Sequence, residues 1–266
     1  MNDPINTSGW TTSLIEPFGL LVQATPPGSA LDTIETDLLK QWTDDHRLVV
    51  LRGFAPLPGD GLPLFCTRLG SLLDWSFGTV NELKVQADAK NYLFTNRAVP
   101  FHWDGAFVGR IPHYIFFSCE EAPSQGDGGE TLFCDTVRLL HEVPTELYQT
   151  WENISVTYST DKIAHYGGSF TSPLLTRHPT TGVEVLRYAE PVDDLNPVHL
   201  DIEGLPEARH SAFVADMHDR LNAPECCSAH VWNSGDFVIA DNHALLHGRR
   251  AFVHADKRHI RRVNIL

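Results

Sequence analysis

Positive charge is scarce in this chain: 20 lysines and arginines stand against 34 aspartates and glutamates in 266 residues, a formal net charge of −14. So acidic a surface excludes nucleic acid and anionic membrane as general partners, since both need a basic footprint. Long apolar runs are absent as well. Nothing approaches the roughly 20 residues that span a bilayer, and the opening "MNDPINTSGW" lacks both the basic start and the apolar stretch of a secretory signal. A cytoplasmic location is expected. Cysteine is too sparse and badly spaced for a disulfide framework or a zinc site: Cys66, Cys119, Cys134, Cys226 and Cys227 are odd in number, include one adjacent pair and form no C-x-x-C. Reduced thiols suit that pattern.

What is present is an ordinary globular composition, 42% apolar and 10% aromatic, enough for a large core. Leu31, Ile34, Leu38, Leu39 and Trp42 recur at helical spacing, which predicts a helix over 30–46, followed directly by the buried strand "RLVVLRGF". Further helices are predicted over 62–75, within 137–153 with a restart at Pro144 and Thr145, and over 205–222. Strands are predicted at "TVNELKV", "NYLFT", "HYIFFSC", "ETLFCDT", "NISVTYST", "VEVLRYAEP", "DFVIADN" and "RHIRRVNIL", punctuated by turn signals such as "GDGG", "PTTG" and "NSGD". Many short strands, interspersed helices, no βαβ alternation, no repeat and no linker point to one domain over 1–266. It should be mainly β with helical insertions, a sandwich or jelly roll.

The stretch "VPFHWDGAF" (99–107) carries candidate chemistry. On an extended strand residues two apart share a face, so His102 and Asp104 would project together as a pair of metal ligands. The triplet alone means little, since about one H-x-D is expected by chance at this composition, and His199/Asp201 and His254/Asp256 repeat it. Context separates them. His254/Asp256 lies in the polar turn "VHADKR", and His199/Asp201, in "NPVHLDIEGLP", has the flanks of a surface loop. Only His102/Asp104 has apolar and aromatic neighbours on both sides. Its bland reading is a core histidine held by an aspartate.

A third ligand would decide the matter. His247, in "DFVIADNHALLHGRR", follows a strand and a turn and precedes Gly248, small enough to let other groups approach. His243 is the local rival, expected to face solvent behind the turn residues Asp241 and Asn242. Two histidines and one carboxylate on one face of an iron leave open positions opposite, the arrangement of non-haem Fe(II) oxygenases. Such an enzyme needs electrons, which a 2-oxo acid can supply, and the far carboxylate of that dianion wants the planar fork of a guanidinium. Against the acidic background, Arg249, Arg250, Lys257, Arg258, Arg261 and Arg262 crowd together. Arg258, opening the last strand, is the candidate. For Arg249, Arg250 and Arg261 a solvated face is the competing account.

Four stretches carry a family likeness: F-H-W-D (101–104), G-G-E-T-L-F (128–133), D-N-x-x-x-x-H-G-R (241–249) and the R-x-x-x-R of Arg258 and Arg262. From about residue 48 onward the chain resembles the TauD/TfdA family of Fe(II)/2-oxoglutarate-dependent dioxygenases, whose motifs fall in this order. The resemblance implies a double-stranded β-helix, a jelly roll. It implies that His102, Asp104 and His247 bind Fe(II), that Thr131 and Arg258 hold 2-oxoglutarate, that Arg262 lies near the same pocket, and that O2 is the other co-substrate. Asp104 speaks for hydroxylase-type over halogenase-type chemistry, because halogenases of this general class leave the carboxylate's position to chloride.

A narrower likeness lies in "NYLFTNRAVPFHWDGAF", "HYIFFSCEEAP", "KIAHYGG" and "VLRYAEPVDDLNPV", which look like the PvcB-type branch acting on amino-acid-derived isonitriles. It implies a small-molecule substrate, tyrosine isonitrile first, desaturated with or without loss of its carboxylate in secondary metabolite biosynthesis. Lys162, His165, Tyr166, Arg187 and Tyr188 are then the candidates to hold the substrate; a surface or strand-pairing role is the bland reading of each. A taurine- or sulfonate-type hydroxylase and a non-catalytic metal-binding jelly roll are the alternatives. A homo-oligomer is compatible with all three.

Overall fold

The strand Phe237–Asp241 is buried along its whole length, and its two faces meet two different cores. Phe237 and Ile239 pack with Leu39, Phe65 and Phe116, whereas Val238 and Ala240 pack with Phe117, Phe133 and Trp232. A strand covered on both sides reads as an unbroken apolar run, which is why "FVIA" shows no alternation. The computed structural model describes residues 9–160, 168–254 and 257–266. In it this strand is the centre of a seven-stranded sheet ordered Trp10–Leu14, Leu20–Ala24, Leu48–Arg52, Phe237–Asp241, Tyr114–Glu121, His259–Ile265 and Val80–Leu83. All pairs are antiparallel except Leu20–Ala24 with Leu48–Arg52.

Across the inner core lies a four-stranded antiparallel sheet ordered Cys227–His230, Thr131–Asp135, Leu245–Arg249 and Val99–His102. These two sheets make the jelly roll, with Phe117, Phe133, Trp232 and Leu245 between them. Helices Thr36–His46 and Gly61–Cys66 cover the outer face of the large sheet through Leu39, Leu62 and Phe65. Thr136–Glu142, Thr145–Trp151 and His210–Leu221 cover the small one through Leu139, Trp151 and Met217. A three-stranded sheet, His199–Glu203, Ser155–Thr160 and Gly168–Pro173, packs on the same outer core. The mainly β jelly roll with helical insertions is thus as the sequence implies.

Several elements differ from expectation. "NYLFT" forms a 3-10 turn, Tyr92–Phe94, because the Asn91 side chain accepts from the Leu93 N–H at 2.9 Å and bends the chain. The helix expected over 62–75 ends at Cys66. Beyond it, a Cβ on Gly70 would stand 2.7 Å from Leu266 O, and the Leu73 N–H is taken by Asn264 O. The segment 137–153 is two helices, the second starting at Thr145 behind Pro144. In "VEVLRYAEP" strand pairing stops at Leu186; the N–H groups of Arg187, Ala189 and Glu190 then donate to Leu174 O, the Tyr158 hydroxyl and Phe101 O. His199–Glu203 is a strand, not a loop. All five cysteines are free thiols, as expected. Among the described residues no helix is long and apolar enough to cross a membrane.

Candidate metal centre and adjoining pockets

Strand alternation brings distant residues to one spot inside the roll. In Leu245–Arg249 the inward positions are Leu245, His247 and Arg249, while Leu246 joins the helix-covered core. His247 is in register with Phe133 on one side and His102 on the other. Gly248 permits this closeness, since a Cβ there would stand 2.7 Å from Val99 O. His102 ends its strand, and Asp104 follows in a turn completed by Gly105 at φ +100°. The shared strand face expected for the pair therefore does not exist, yet the side chains still meet. His102 Nε2 and His247 Nε2 each lie 3.8 Å from Asp104 Oδ1, with ring centroids 4.3 Å apart. Ligand atoms each ~2.1 Å from a shared ion stand at most ~4.2 Å apart, so these separations suit one.

The protonation states fit as well. His102 Nδ1 lies 2.9 Å from Pro100 O, so its N–H donates there and Nε2 presents a lone pair. His247 Nε2 is buried without any hydrogen-bond partner, a situation buried nitrogens rarely keep unless a ligand takes the lone pair. Burial pushes the pKa of His102 below the usual imidazole range, and that of His247, further repelled by His102, well below it. Burial alone would raise Asp104, but Arg262, the two imidazoles and Asn264 outweigh it and hold the carboxyl below its usual range. Neutral imidazoles and an ionised carboxylate are what a divalent metal requires, and the donor set matches a non-haem Fe(II) centre.

Asp104 is clamped. Arg262 Nη1 lies 3.1 Å from Oδ1 and 3.0 Å from Oδ2, and Asn264 Nδ2 donates to Oδ2 at 2.8 Å. The Asn242 side chain brackets the backbone, accepting from the Asp104 N–H at 2.9 Å and donating to Asp104 O at 3.0 Å. Arg262 does border the smaller pocket described next, but its guanidinium is engaged by the carboxylate. It shares with Asn264 the inner face of His259–Ile265, two residues apart. In the sequence Asn242 shows only as the second letter of D-N, and Asn264 not at all.

A small pocket opens between His247, Thr131 and Arg258, walled by Leu83, Leu93 and Phe117. Arg258 is 4% exposed and has no carboxylate partner among the described residues. Its Nε donates to Gly129 O at 3.0 Å and its Nη2 to Thr131 Oγ1 at 3.3 Å, while Thr131 also accepts from Trp232 Nε1 at 2.9 Å. Burial pulls the Arg258 pKa down to about 10. An uncompensated buried guanidinium beside His102, Asp104 and His247 suits an anion that could also chelate a metal held there. The solvated-face account fails for two other arginines. Arg249 is buried and donates to Leu93 O, Thr95 O and Arg97 O at 3.0, 2.7 and 2.7 Å; Arg261 is buried against Leu57 O, Gly59 O and Glu82. Both reach loop carbonyls that the sheets leave unpaired. Arg250 is exposed.

A larger cavity, about 900 Å³ counted out to its open mouth, also borders the triad. Its wall is aromatic, with Trp75, Phe77, Trp103, Phe107 and Tyr158 beside His102 and Asp104. Of the candidates to hold substrate, Lys162, His165 and Tyr166 lie outside the described residues. Arg187 and Tyr188 do not line the cavity. Arg187 sits behind the wall, 5.3 Å from the Trp103 ring centroid, with Nη1 3.4 Å from Asn242 O and Nη2 3.2 Å from His243 Nδ1; Tyr188 packs on Phe213. The cause is the end of strand pairing at Leu186, beyond which Tyr188 turns into the helix-covered core and Arg187 toward Asn242 and His243.

His113, His178 and Asp241 form a second group with metal-like spacing, their ligand atoms within 4.8 Å of one another. Its hydrogen bonds oppose a metal. His178 Nδ1 accepts from the N–H groups of Thr180 and Thr181, both at 3.2 Å, so the ring proton sits on Nε2 and is donated to Asp241 Oδ2 at 3.0 Å. Asp241 Oδ1 accepts from the N–H groups of His243 and Ala244. His243, expected to face solvent, is drawn in by that turn and lies half-buried against His113 and His178, ring centroids 5.6 and 5.3 Å away. His199 and Asp201 are exposed, and His254 pairs with Asp127; Asp256 lies outside the described residues.

Known proteins resemble this chain over nearly its full length. The family profile described as taurine catabolism dioxygenase TauD, TfdA family, matches residues 15–264. The chain is 47% identical to the 3-((Z)-2-isocyanoethenyl)-1H-indole synthase of Fischerella ambigua, over 95% of this chain and 94% of that protein. It is 35% identical to the tyrosine isonitrile desaturase of Pseudomonas aeruginosa, over 93% of this chain and 87% of that one. Its fold matches PvcB, described as an Fe, alpha-ketoglutarate dependent oxygenase from an isonitrile synthetic pathway, with a TM-score of 0.82 at 32% identity, covering 100% of this chain and 94% of PvcB.

Proposed function

This chain belongs to the TauD, TfdA family and is an Fe(II)- and 2-oxoglutarate-dependent oxidoreductase; from that premise we propose that it desaturates an isonitrile derived from an aromatic amino acid, with a tyrosine or tryptophan ring. The observation that carries this reading is the aromatic-walled cavity bordering His102 and Asp104, two members of the candidate metal triad. A flat ring packed against Trp75, Phe77 and Phe107 buries its faces there, and each aromatic pair adds ~0.5–1.5 kcal/mol beyond area burial. A taurine-type sulfonate has no ring to bury against those walls.

In this reading His102, Asp104 and His247 hold the iron through Nε2, Oδ1 and Nε2, and Thr131 and Arg258 hold the far carboxylate of 2-oxoglutarate. With Fe(II), 2-oxoglutarate and O2 bound, this centre would supply the oxidising power that breaks a substrate C–H bond, 2-oxoglutarate leaving as succinate and CO2. The chain's own work is positional and electrostatic. Arg262, Asn264 and Asn242 fix Asp104 so that Oδ1 faces the imidazoles; burial keeps those imidazoles neutral; the aromatic walls exclude water and aim the benzylic carbon. Loss of one benzylic hydrogen together with the carboxylate as CO2 leaves a vinyl isonitrile, and loss of two hydrogens retains the carboxylate. Either is a two-electron oxidation, balanced by reduction of one oxygen atom of O2 to water while the other enters succinate.

Succinate release tests the reading, with 2-isocyano-3-(4-hydroxyphenyl)propanoate, its indol-3-yl counterpart and taurine as substrates. Stimulation by an aromatic isonitrile and none by taurine is expected. Stimulation by taurine alone would return the chain to the sulfonate hydroxylases, and iron bound with no stimulation by any of the three would make it a non-catalytic metal-binding jelly roll.

A further inference from the structure

Val80–Leu83 is an edge strand of the large sheet, and its alternation turns Asn81 and Leu83 inward. Asn81 is only 5% exposed, yet its side-chain amide has no hydrogen-bond partner among the described residues. Buried side-chain polar atoms in folded proteins mostly have protein partners, so an amide that makes none is available to whatever occupies the cavity. The amide lines the aromatic cavity. Across the ladder Asn81 is in register with Arg262, whose Nη1 lies 3.0 Å from Asp104 Oδ2. A free amide therefore stands one strand, about 4.8 Å, from the clamp on the triad carboxylate.

The charged groups of the same wall are already engaged. Arg262 is paired with Asp104. Glu190 accepts from the Phe101 N–H at 2.7 Å and lies 2.6 Å from His218 Nδ1. Among the described residues Asn81 and the Trp103 indole N–H are both left to meet a ligand; Asn81 is the one that stands across the ladder from Arg262, and as a neutral donor it can act without competing with Arg262 for Asp104.

The geometry points to Asn81 as the residue that binds the carboxylate of the isonitrile substrate, its Nδ2–H donating to a carboxylate oxygen. This inference rests on the isonitrile reading above. The C–H bond to be broken must lie beside the triad, and the carboxylate carbon is two bonds from that benzylic carbon, so it too is held at the triad end while the ring runs along Trp75, Phe77 and Phe107. The isonitrile shares the same carbon, but its terminal atom is a weak acceptor. A carboxylate forms charge-assisted bonds about twice as strong as neutral ones.

The test titrates 2-isocyano-3-(4-hydroxyphenyl)propanoate, its indol-3-yl counterpart and the methyl esters of both into anaerobic enzyme loaded with Fe(II) and 2-oxoglutarate, for wild type, Asn81→Ala and Asn81→Leu. Both variants should bind the preferred acid about tenfold more weakly, equivalent to ~1.4 kcal/mol, and the ester within twofold of wild type. Their 2-oxoglutarate affinity should be unchanged and their melting temperature close to wild type, because the amide makes no hydrogen bond within the protein for the variants to lose; a structural asparagine would lower it. Equal weakening for acid and ester, no weakening for either, or a fall in melting temperature with no acid-specific loss overturns the assignment. If wild type binds none of the four compounds, the isonitrile reading itself fails and takes this assignment with it.

Discussion

Replacing Arg258 by methionine should cripple 2-oxoglutarate binding while leaving the apo protein almost as stable as before. The guanidinium is 4% exposed with no carboxylate partner among the described residues, and burial lowers its pKa from 12.5 to about 10. That difference of about 2.5 units, at ~1.36 kcal/mol each, sets about 3 kcal/mol against keeping the charge in the folded state. Its hydrogen bonds to Gly129 O and Thr131 Oγ1 return about as much, at ~1.5 kcal/mol each for a charged donor. Methionine, similar in length and apolar, loses both contributions together, so apo stability should move by no more than ~1–2 kcal/mol. Co-substrate binding has no such cancellation. Truncating one partner of a buried charged pair costs ~2–5 kcal/mol, which at ~1.4 kcal/mol per decade weakens binding from about 30-fold to a few thousandfold. Anaerobic titration of 2-oxoglutarate into the Fe(II)-loaded protein, followed by the charge-transfer absorption of the chelate, measures this, and thermal melting of the apo protein measures the rest. A dissociation constant within threefold of wild type, or a melting temperature lower by more than ~10 °C (~3 kcal/mol for a chain of this size), would refute the reasoning.

Elemental analysis should find one iron per chain, lost in Asp104→Ala and His247→Ala and kept in His178→Ala; iron lost from the last instead would move the metal to the His113, His178, Asp241 group. Asn264→Leu removes a hydrogen bond from Asp104 Oδ2 and should weaken Fe(II) or Co(II) binding ~10–100-fold, the usual effect of losing a partner behind a ligand; unchanged affinity would make that contact ornamental. Burial, reinforced by Arg187, pushes the His243 pKa from 6.5 to about 3, so the unfolded chain binds more protons between those values. Stability from this group is complete above pH ~6.5 and drains as pH falls toward 3, by at most ~1.4 kcal/mol per unit, less any solvent screening. Urea denaturation at pH 7 and pH 5 should show a smaller loss for His243→Asn than for wild type, and equal losses would discard the assignment.

The two histidines were legible in the sequence because their neighbours are apolar and their strands have a clear period, so a buried, convergent position follows for His102 and His247. Asp104 was legible for an incomplete reason: it lies just past the strand, and its place depends on Arg262, Asn264 and Asn242, which come from two other segments. Nothing local marks Asn264, whose role arises only when His259–Ile265 pairs with Tyr114–Glu121 and turns residues 262 and 264 inward. Arg249 and Arg261 looked like solvated charge because composition does not reveal which carbonyls a fold leaves unpaired. Arg187 and Tyr188 looked like substrate-binding residues because they offer a cation and a ring within the stretch that carries the narrower likeness, but strand pairing ends at Leu186 and neither lines the cavity. Asn91 overrode the strand propensity of "NYLFT" through one local side-chain bond.

The candidate triad thus joins side chains positioned in two mechanical ways. His102 and His247 take their places from sheet register, a property of many backbone hydrogen bonds that no single side chain controls. Asp104 stands in a turn, where the backbone would otherwise be free to drift, and three side chains compensate by gripping it at N–H, C=O and carboxylate. Arg262 Nη1 reaches both carboxylate oxygens and Asn264 holds Oδ2, so the carboxylate is fixed with Oδ1 3.8 Å from each imidazole Nε2. The buried cation at residue 262, unfavourable by itself, is therefore the means by which a loop aspartate is made to behave as rigidly as a strand histidine.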